Sequence, residues 1–465
     1  MKKINLLILL VLLCCMLQAQ HVITYDAPGG LKYSAHNDDF TVQVREPGGD
    51  WQDLFEWKVQ VDLDNVQTAS MVNFDFEGEV EVRVRKNNGA VNSVQIRPLS
   101  LGIVPAVNGQ VISFSLSQPT KLSLEVNGDK LHNLHLFANS ILKEKPNLDD
   151  PNVIYFGPGI HQPKDQPGDV FHISSGKTVY IDGGAVVRAK LLIDRAEDVR
   201  IIGHGIIYQS ERGVEIRHST NVTVDGPVFI NPSHYTIYGG QTTGLTVRNI
   251  KSFSCKGWSD GVDLMSCSNV VIDGVFMRNS DDCIAIYGHR WDFCGSARNY
   301  QIKNSTLWSD IAHPTNIGLH GYAEVGGDTI ENITFTNIDI LEHDEDDRDY
   351  QGCMAITCSD NNLVRNITYE NIRVEDFQEG QLFNFRVVYN EKYSGAPGRG
   401  IENVLLKKIQ YNGNFANPSV IKGFDGERAV KKILIDGLTI NGNSVKKIAD
   451  ANMQVGGFVN ELKVK

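Results

Sequence analysis

Cysteine is scarce: eight occur in 465 residues, and two of those fall within the first 15. No pair shows CxxC spacing and no His/Cys cluster has a zinc pattern, which argues against a structural metal. The remaining six are Cys255, Cys267, Cys283, Cys294, Cys353 and Cys358. In an exported chain, Cys353 with Cys358 or Cys283 with Cys294 would be the candidate disulfides. Small apolar cysteines inside strands pack equally well as core. A basic excess is also missing: 44 Lys and Arg against 56 Asp and Glu leave a net charge of -12. That balance excludes the usual footprint of a nucleic-acid or anionic-membrane binder, so neither partner is expected. Beyond the N-terminus there is no apolar run of the roughly 18 residues that cross a bilayer, so no membrane span is expected.

The first 20 residues do have a pattern. Met1-Lys-Lys3, an apolar stretch over 6–17 and Gln18-Ala-Gln20 read as a secretory signal peptide cut near Gln20 or His21. The expected destination is therefore secreted or periplasmic. A lipoprotein anchor through Cys14 or Cys15 is the weaker reading, because bulky Leu13 stands where a small residue is usual.

Hydrophobic residues make up 41% of the chain, enough for a substantial core. Two regions arrange them differently. Over 21–150, short runs such as Phe40-Thr-Val-Gln-Val-Arg45 and Glu79-Val-Glu-Val-Arg-Val-Arg85 alternate apolar and polar residues. Period-two alternation means half-buried antiparallel strands, and several such strands over one core predict a β-sandwich. The polar, proline-broken stretch 142–151 marks a boundary.

From 151 to 465 one phrase recurs: a polar residue, a short alternating strand, then a turn. It begins at Thr178, Asp198, Asn221, Gly244, Asn269, Asn299, Asn332, Asn366, Asn403 and Lys432, at steps of 20 to 37 residues. Coils of this length, with several short strands each, predict a parallel β-helix, right-handed like other parallel crossovers. The fold class expected is thus all-β, a sandwich followed by a right-handed parallel β-helix. The glycosylation-like triplets at Asn221, Asn332 and Asn366 fall on the repeat's turn position, where a structural ladder explains them better.

Superposing consecutive coils places Ser259-Asp-Gly-Val-Asp-Leu264 on Asp281-Asp-Cys-Ile-Ala-Ile286. Asp260 then lies over Asp282, Asp263 over Ala285 and Leu264 over Ile286, about one strand spacing (~5 Å) apart. Asp281 precedes the stacked pair and points elsewhere. A protonated carboxyl beside carboxylates that activate water is the equipment of inverting glycoside hydrolysis, which places the two functions about 6.5 to 9.5 Å apart. On that reading Asp281 is the general acid and Asp260 with Asp282 the base. Crowding should raise the pKa of at least one. A calcium site or a solvated turn is the plainer alternative.

Asp260-Gly-Val-Asp263, Asp281-Asp-Cys-Ile-Ala285 and His313-Pro-Thr-Asn-Ile-Gly318 resemble, in order, the signature blocks of polygalacturonase-type hydrolases (glycoside hydrolase family 28). Those blocks read N-T-D-G-x-D, D-D-C-x-A and G-H-G-x-x-I-G. A sandwich ahead of the helix is instead similar to the dextranase and isopullulanase relatives (family 49), which share the acid trio. The resemblance implies catalytic roles for Asp260, Asp281, Asp282 and His313, with water as the second reactant and no cofactor or metal. Trp258-Ser259 stands where the family has Asn-Thr, and Ala312 and Pro314 flank the histidine in place of glycines. His320 is a second candidate for the cleft. The family's Arg-Ile-Lys block, which holds a substrate carboxylate, is absent. The aligned strand reads Gly352-Cys-Met-Ala-Ile-Thr357, and an acidic stretch over 342–349 precedes it. Arg290 and Arg386 are the cations that would stand in.

Sugar faces stack on rings, so Trp258, Tyr287, Trp291, His234 and Tyr235 join His320, Arg290 and Arg386 as expected substrate contacts. The partner expected is a polysaccharide or oligosaccharide, either pectic or a neutral α-glucan. A β-helix polysaccharide lyase and a non-catalytic carbohydrate-binding protein are the rival readings.

Overall fold

The computed structural model describes residues 21–143, 145–163 and 169–465. The signal-peptide expectation falls on residues outside that range. Among the described residues, helix is confined to three short 3-10 turns, and no helix is long and apolar enough to cross a membrane. The described residues divide into two compact units, one drawn from 21–58, 69–97 and 101–143, the other from 59–68, 98–100 and the described part of 146–465.

The N-terminal unit is a sandwich. One sheet runs through Phe40–Arg45, Val80–Lys86 and Val111–Leu116, the other through Gln67–Glu77, Leu134–Ser140 and Thr120–Val126. Alternation along Phe40–Arg45 turns Phe40, Val42 and Val44 inward. They share one core with Val82, Val84, Phe74, Leu122 and Leu136. The strands of the first sheet thus bury one face and leave the other polar, as their period requires, whereas Gln67–Glu77 and Leu134–Ser140 are buried on both faces over most of their length.

The C-terminal unit is a right-handed parallel β-helix with a 19-stranded and an 11-stranded sheet. Its repeat stacks in the register read from the sequence. Val199, Val222, Leu245, Val270, Tyr300, Ile333, Ile367, Val404 and Ile433 pair in succession and form part of one continuous core. The earliest phrase departs from it. Thr178 pairs with Arg200 rather than Asp198, so that coil is offset by two residues.

The polar residue that opens each phrase sits at the corner of a coil. Asn221, Asn269, Asn299, Asn332, Asn366 and Asn403 all have φ between 56° and 63°, a left-handed backbone that Asn tolerates better than most residues. Their amides also bond one another. Asn299 donates to Asn269 at 3.0 Å, Asn332 to Asn299 at 3.2 Å, Asn366 to Asn332 at 3.0 Å and Asn403 to Asn366 at 3.1 Å. A second ladder, Asn304 to Asp273, Asn337 to Asn304 and Asn371 to Asn337, marks the next corner at 2.8 to 3.2 Å.

Among the described residues all six cysteines are free and five are buried, Cys294 alone being exposed. The core-packing reading therefore holds, and neither candidate disulfide forms.

Candidate active site

The site lies on the 11-stranded sheet, where Val262–Met265, Ile284–Tyr287, Thr315–Ile317 and Met354–Cys358 are successive strands. Asp263 pairs with Ala285 and Leu264 with Ile286, the register expected. Backbone bonds from Gly261 to the carbonyl of Asp282 and from Cys283 to that of His313, both 2.8 Å, carry the stacking back to Asp260, Asp282 and His313. Gly261 permits this approach, since a Cβ there would meet the Cys283 carbonyl oxygen at 2.3 Å. One oxygen each of Asp260, Asp281 and Asp282 lies within 4.8 Å of the other two. The trio is therefore tighter than the ~6.5 Å expected for water between opposed carboxyls. Such a donor set could also hold a divalent cation.

The three carboxylates meet different surroundings. Asp282 is satisfied on both oxygens. Its Oδ1 accepts from His313 Nδ1 at 2.6 Å and the His313 backbone N–H at 3.1 Å, and its Oδ2 from Asn316 at 2.9 Å and the Tyr287 hydroxyl at 3.4 Å. Burial alone would raise its pKa, but the His313 charge and these bonds bring it below the usual carboxylate value. His313 also faces the Tyr350 carbonyl through Nε2. With an acceptor at each ring nitrogen it carries both protons, and Asp282 raises its pKa against the cost of burial. His343, stacked 6.2 Å away, is the converse case. It donates to the Ala312 carbonyl and accepts from Gly352 N–H, and burial pushes its pKa down to about 3.

Asp281 accepts two backbone N–H bonds, from Trp258 and Asp282, at 3.0 Å each. Burial and the neighbouring Asp282 charge nevertheless raise it to about 6. Asp260 is 5% exposed and its Oδ1 has no hydrogen-bond partner. Burial, then Asp263, Asp281 and Asp282, lift its pKa well above the ordinary value. Asp263, fully buried, is raised likewise by burial, with Arg290 acting against the rise.

A cavity of about 530 Å³ opens over the trio. Of the residues expected from the sequence, Asp260, Asp281, Asp282, Tyr235, Trp258, Tyr287, Arg290 and His320 line it. Four do not. His313 is buried beneath Asp282, so it positions that carboxylate rather than touching substrate. Arg386 is held by Asp349 at 2.7 Å and does not replace the missing cations. Trp291 packs beside the cavity, under the Arg290 guanidinium at 4.4 Å. The His234 ring accepts from the Tyr235 N–H, and burial with Arg212 nearby lowers it to about 4. Of the two histidine candidates, His320 is the one at the cavity wall, neutral because burial and Arg290 lower its pKa to about 3.

The sequence reading missed Asn316, Tyr350, Asn390, Lys392 and Tyr393. Asn316 stands inside the third signature block, three residues after His313, and its strand alternation turns it to the carboxylate side. Tyr350 closes the acidic stretch, whose Glu345 and Asp347 also line the cavity. Nothing local marks 390–393; the chain returns there from a later coil.

The sequence profile of the glycosyl hydrolases family 28 matches residues 203–457. The chain belongs to this family. Among its relatives, a probable endopolygalacturonase D of Aspergillus flavus is 23% identical over 190 residues, 40% of this chain and 34% of that protein. A probable exopolygalacturonase B of Neosartorya fischeri is 22% identical over 39% of this chain and 44% of its own. The matched region thus spans about a third to under a half of these relatives' length. Among solved structures, Dex49A from Penicillium minioluteum superposes with a TM-score of 0.66 at 15% identity, covering 95% of this chain and 96% of its own. The family 28 exopolygalacturonase of Yersinia enterocolitica gives 0.51 at 13% identity, covering 88% and 98%. Both likenesses establish the fold.

Proposed function

We propose that this family 28 hydrolase cleaves glycosidic bonds of a polysaccharide with inversion, using Asp281 as general acid and Asp282, with Asp260, to activate water. The observation that carries the reading is the unequal hydrogen bonding of two carboxylates in one cavity, His313 and Asn316 on Asp282 against two backbone N–H groups on Asp281. Asp282 is held ionised by His313 and Asn316, while Asp281, raised to about 6, keeps a proton to give to the leaving oxygen. Both Asp282 oxygens are engaged by fixed donors, which suits a base that orients water better than a nucleophile that must reach the anomeric carbon.

In the resting site burial raises both Asp260 and Asp263, so both favour the protonated form and Asp282 is the ionised member of the group. Trp258, 67% exposed at the cavity rim, offers a ring for a sugar face. It has φ 59°, a backbone that a bulky residue adopts at a cost of ~1–2 kcal/mol, in keeping with strain stored at a functional site. We assign the chemistry to the coils of 151–465 and, from the leader over 1–20, an exported destination. A polygalacturonase-like or a dextranase-like substrate is the range from which the sugar is drawn.

The test is a reducing-end assay over polygalacturonate, rhamnogalacturonan, dextran and pullulan, with product anomers followed by NMR. Inverted product is expected, and retained configuration would refute the proposed geometry. The trio's fitness for a divalent cation leaves the lyase reading a specific footing. Absorbance of an unsaturated uronate, lost on chelation, would establish that reading in place of hydrolysis.

A further inference from the structure

Resting on the hydrolase reading above, we infer that the cavity selects a neutral glycosyl unit, because Arg290 at its wall already faces a buried acid of the chain and its rim carries Glu345 and Asp347. Five carboxylates line the cavity, Asp260, Asp281, Asp282, Glu345 and Asp347, against two cations, Arg290 and Lys392. Even with Asp260 and Asp281 protonated, the acids outnumber the cations.

Both cations already face acids of the chain, Arg290 at ion-pair distance and Lys392 through the charges of Glu345 and Asp347. The Arg290 Nη1 lies 3.6 Å from Asp263 Oδ2, whose side chain is fully buried with neither oxygen hydrogen-bonded. Arg290 is the one cation within ion-pair distance of that acid among the described residues. Drawing it toward a substrate carboxylate would pull it away from Asp263, the buried acid it faces, and from the rings around it. The guanidinium is further fixed over the rings of Trp291 at 4.4 Å, Tyr287 at 5.3 Å and Tyr235 at 5.9 Å. Its N–H groups make no side-chain hydrogen bond to the protein, so they remain as donors for sugar hydroxyls. Lys392 lies over Tyr393 at 4.6 Å, and its charge is sustained first by Tyr393 and then by Glu345 and Asp347. Arg386, the remaining candidate, is held by Asp349.

A neutral pyranose meets this wall without penalty. Its hydroxyls find carboxylate acceptors and guanidinium donors, and its apolar face finds Trp258 and Tyr287. A uronate brings a further negative charge into a cavity whose lining carboxylates outnumber its cations.

The experiment compares initial rates of reducing-end release from polygalacturonate, from the same polymer carboxyl-reduced to its neutral form, and from dextran and pullulan, at low ionic strength. Four proteins are used: wild type, Asp281→Asn, Arg290→Gln and the double variant Glu345→Gln/Asp347→Asn. Wild type should favour a neutral polymer over polygalacturonate by tenfold or more in kcat/KM. The loop double variant should narrow that ratio at least threefold. Arg290→Gln should depress the neutral rate, which a pure carboxylate receptor would not do. Preference of wild type for polygalacturonate over every neutral polymer, or a ratio unmoved by the loop variant, overturns the inference and leaves the hydrolase reading standing. Release undiminished in Asp281→Asn, or none from any polymer by wild type, overturns the hydrolase reading itself. The loop residues sit at the cavity rim with Asp347 exposed, so that variant tests selectivity even if Arg290→Gln fails to fold.

Discussion

The asparagine corners and the aspartate strands of the β-helix stack in the same parallel register, yet they end in opposite electrostatic states. At the corners each amide is both donor and acceptor, so Asn366 bonds Asn332 and Asn403 bonds Asn366, and the ladder satisfies itself from coil to coil. On the site sheet the stacked side chains are carboxylates, which only accept while ionised. Asp260 over Asp282, with Asp263 and Asp281 beside them, cannot satisfy one another unless protons or outside donors intervene. His313 and Asn316 serve Asp282; Asp260 and Asp263 remain raised and unsatisfied. One geometry thus gives stability where the repeated group is an amide and chemical readiness where it is an acid.

Replacing the acid that supplies the proton is the severest way to break this contrast. Asp281→Asn should keep the fold and lower kcat by about 10³-fold, within the range for general acid catalysis, as read from reducing-end release. Next in size is the support beneath Asp282. His313→Ala leaves a buried carboxylate without its cationic partner and should lower thermal stability by about 3 kcal/mol. Its activity should fall roughly 100-fold, with the acid limb of the pH profile moved upward as Asp282 loses the group that depresses its pKa. Calorimetry and a pH–rate profile separate the two effects.

The pH dependence sharpens the same comparison. Asp281 is raised in the folded state to about 6, from an ordinary value of 3.8. Its contribution to stability is therefore full below 3.8 and is lost as pH rises through about 6. The alkaline limb of kcat should accordingly fall about tenfold per pH unit above 6. His313, also raised, loses its contribution at higher pH as it deprotonates. Asp282, depressed, loses its contribution as pH falls below 3.8 toward its folded pKa. In Asp281→Asn the slope of melting temperature between pH 4 and 6 should flatten, since no proton remains there to titrate; an unchanged slope would show that another group carries it. The smallest effect is expected at the corners. Asn366→Ala removes two ladder bonds and puts at φ 58° a residue that tolerates left-handed backbone less well than Asn, for a loss of about 1–2 kcal/mol without change in kcat. Asn366→Gly, free of the backbone cost, should lose less.

Much of the scaffold was readable because a period is a local property. The recurring corner residue announces the coil, and its register alone places Asp260 over Asp282 and Asp263 over Ala285. It failed at Thr178, where two residues of offset leave no mark on composition. Site membership was readable only in part. Tyr287 and Trp258 adjoin the signature blocks and do line the cavity, but Arg386 looked equally available and is consumed by Asp349. Whether a charged side chain is free depends on its partner across a coil, some 37 residues away in this case.

What the sequence determined by itself, then, is the fold class, the stacking register and the identity of the acid trio, since each follows from side-chain type repeated at a regular interval. What the tertiary structure decided is which acid keeps its proton, which histidine faces the cavity and which arginine remains available. Those depend on burial and on contacts between separate coils, where desolvation and a single neighbouring charge shift a carboxyl by two pH units or more, and no periodicity along the chain records them.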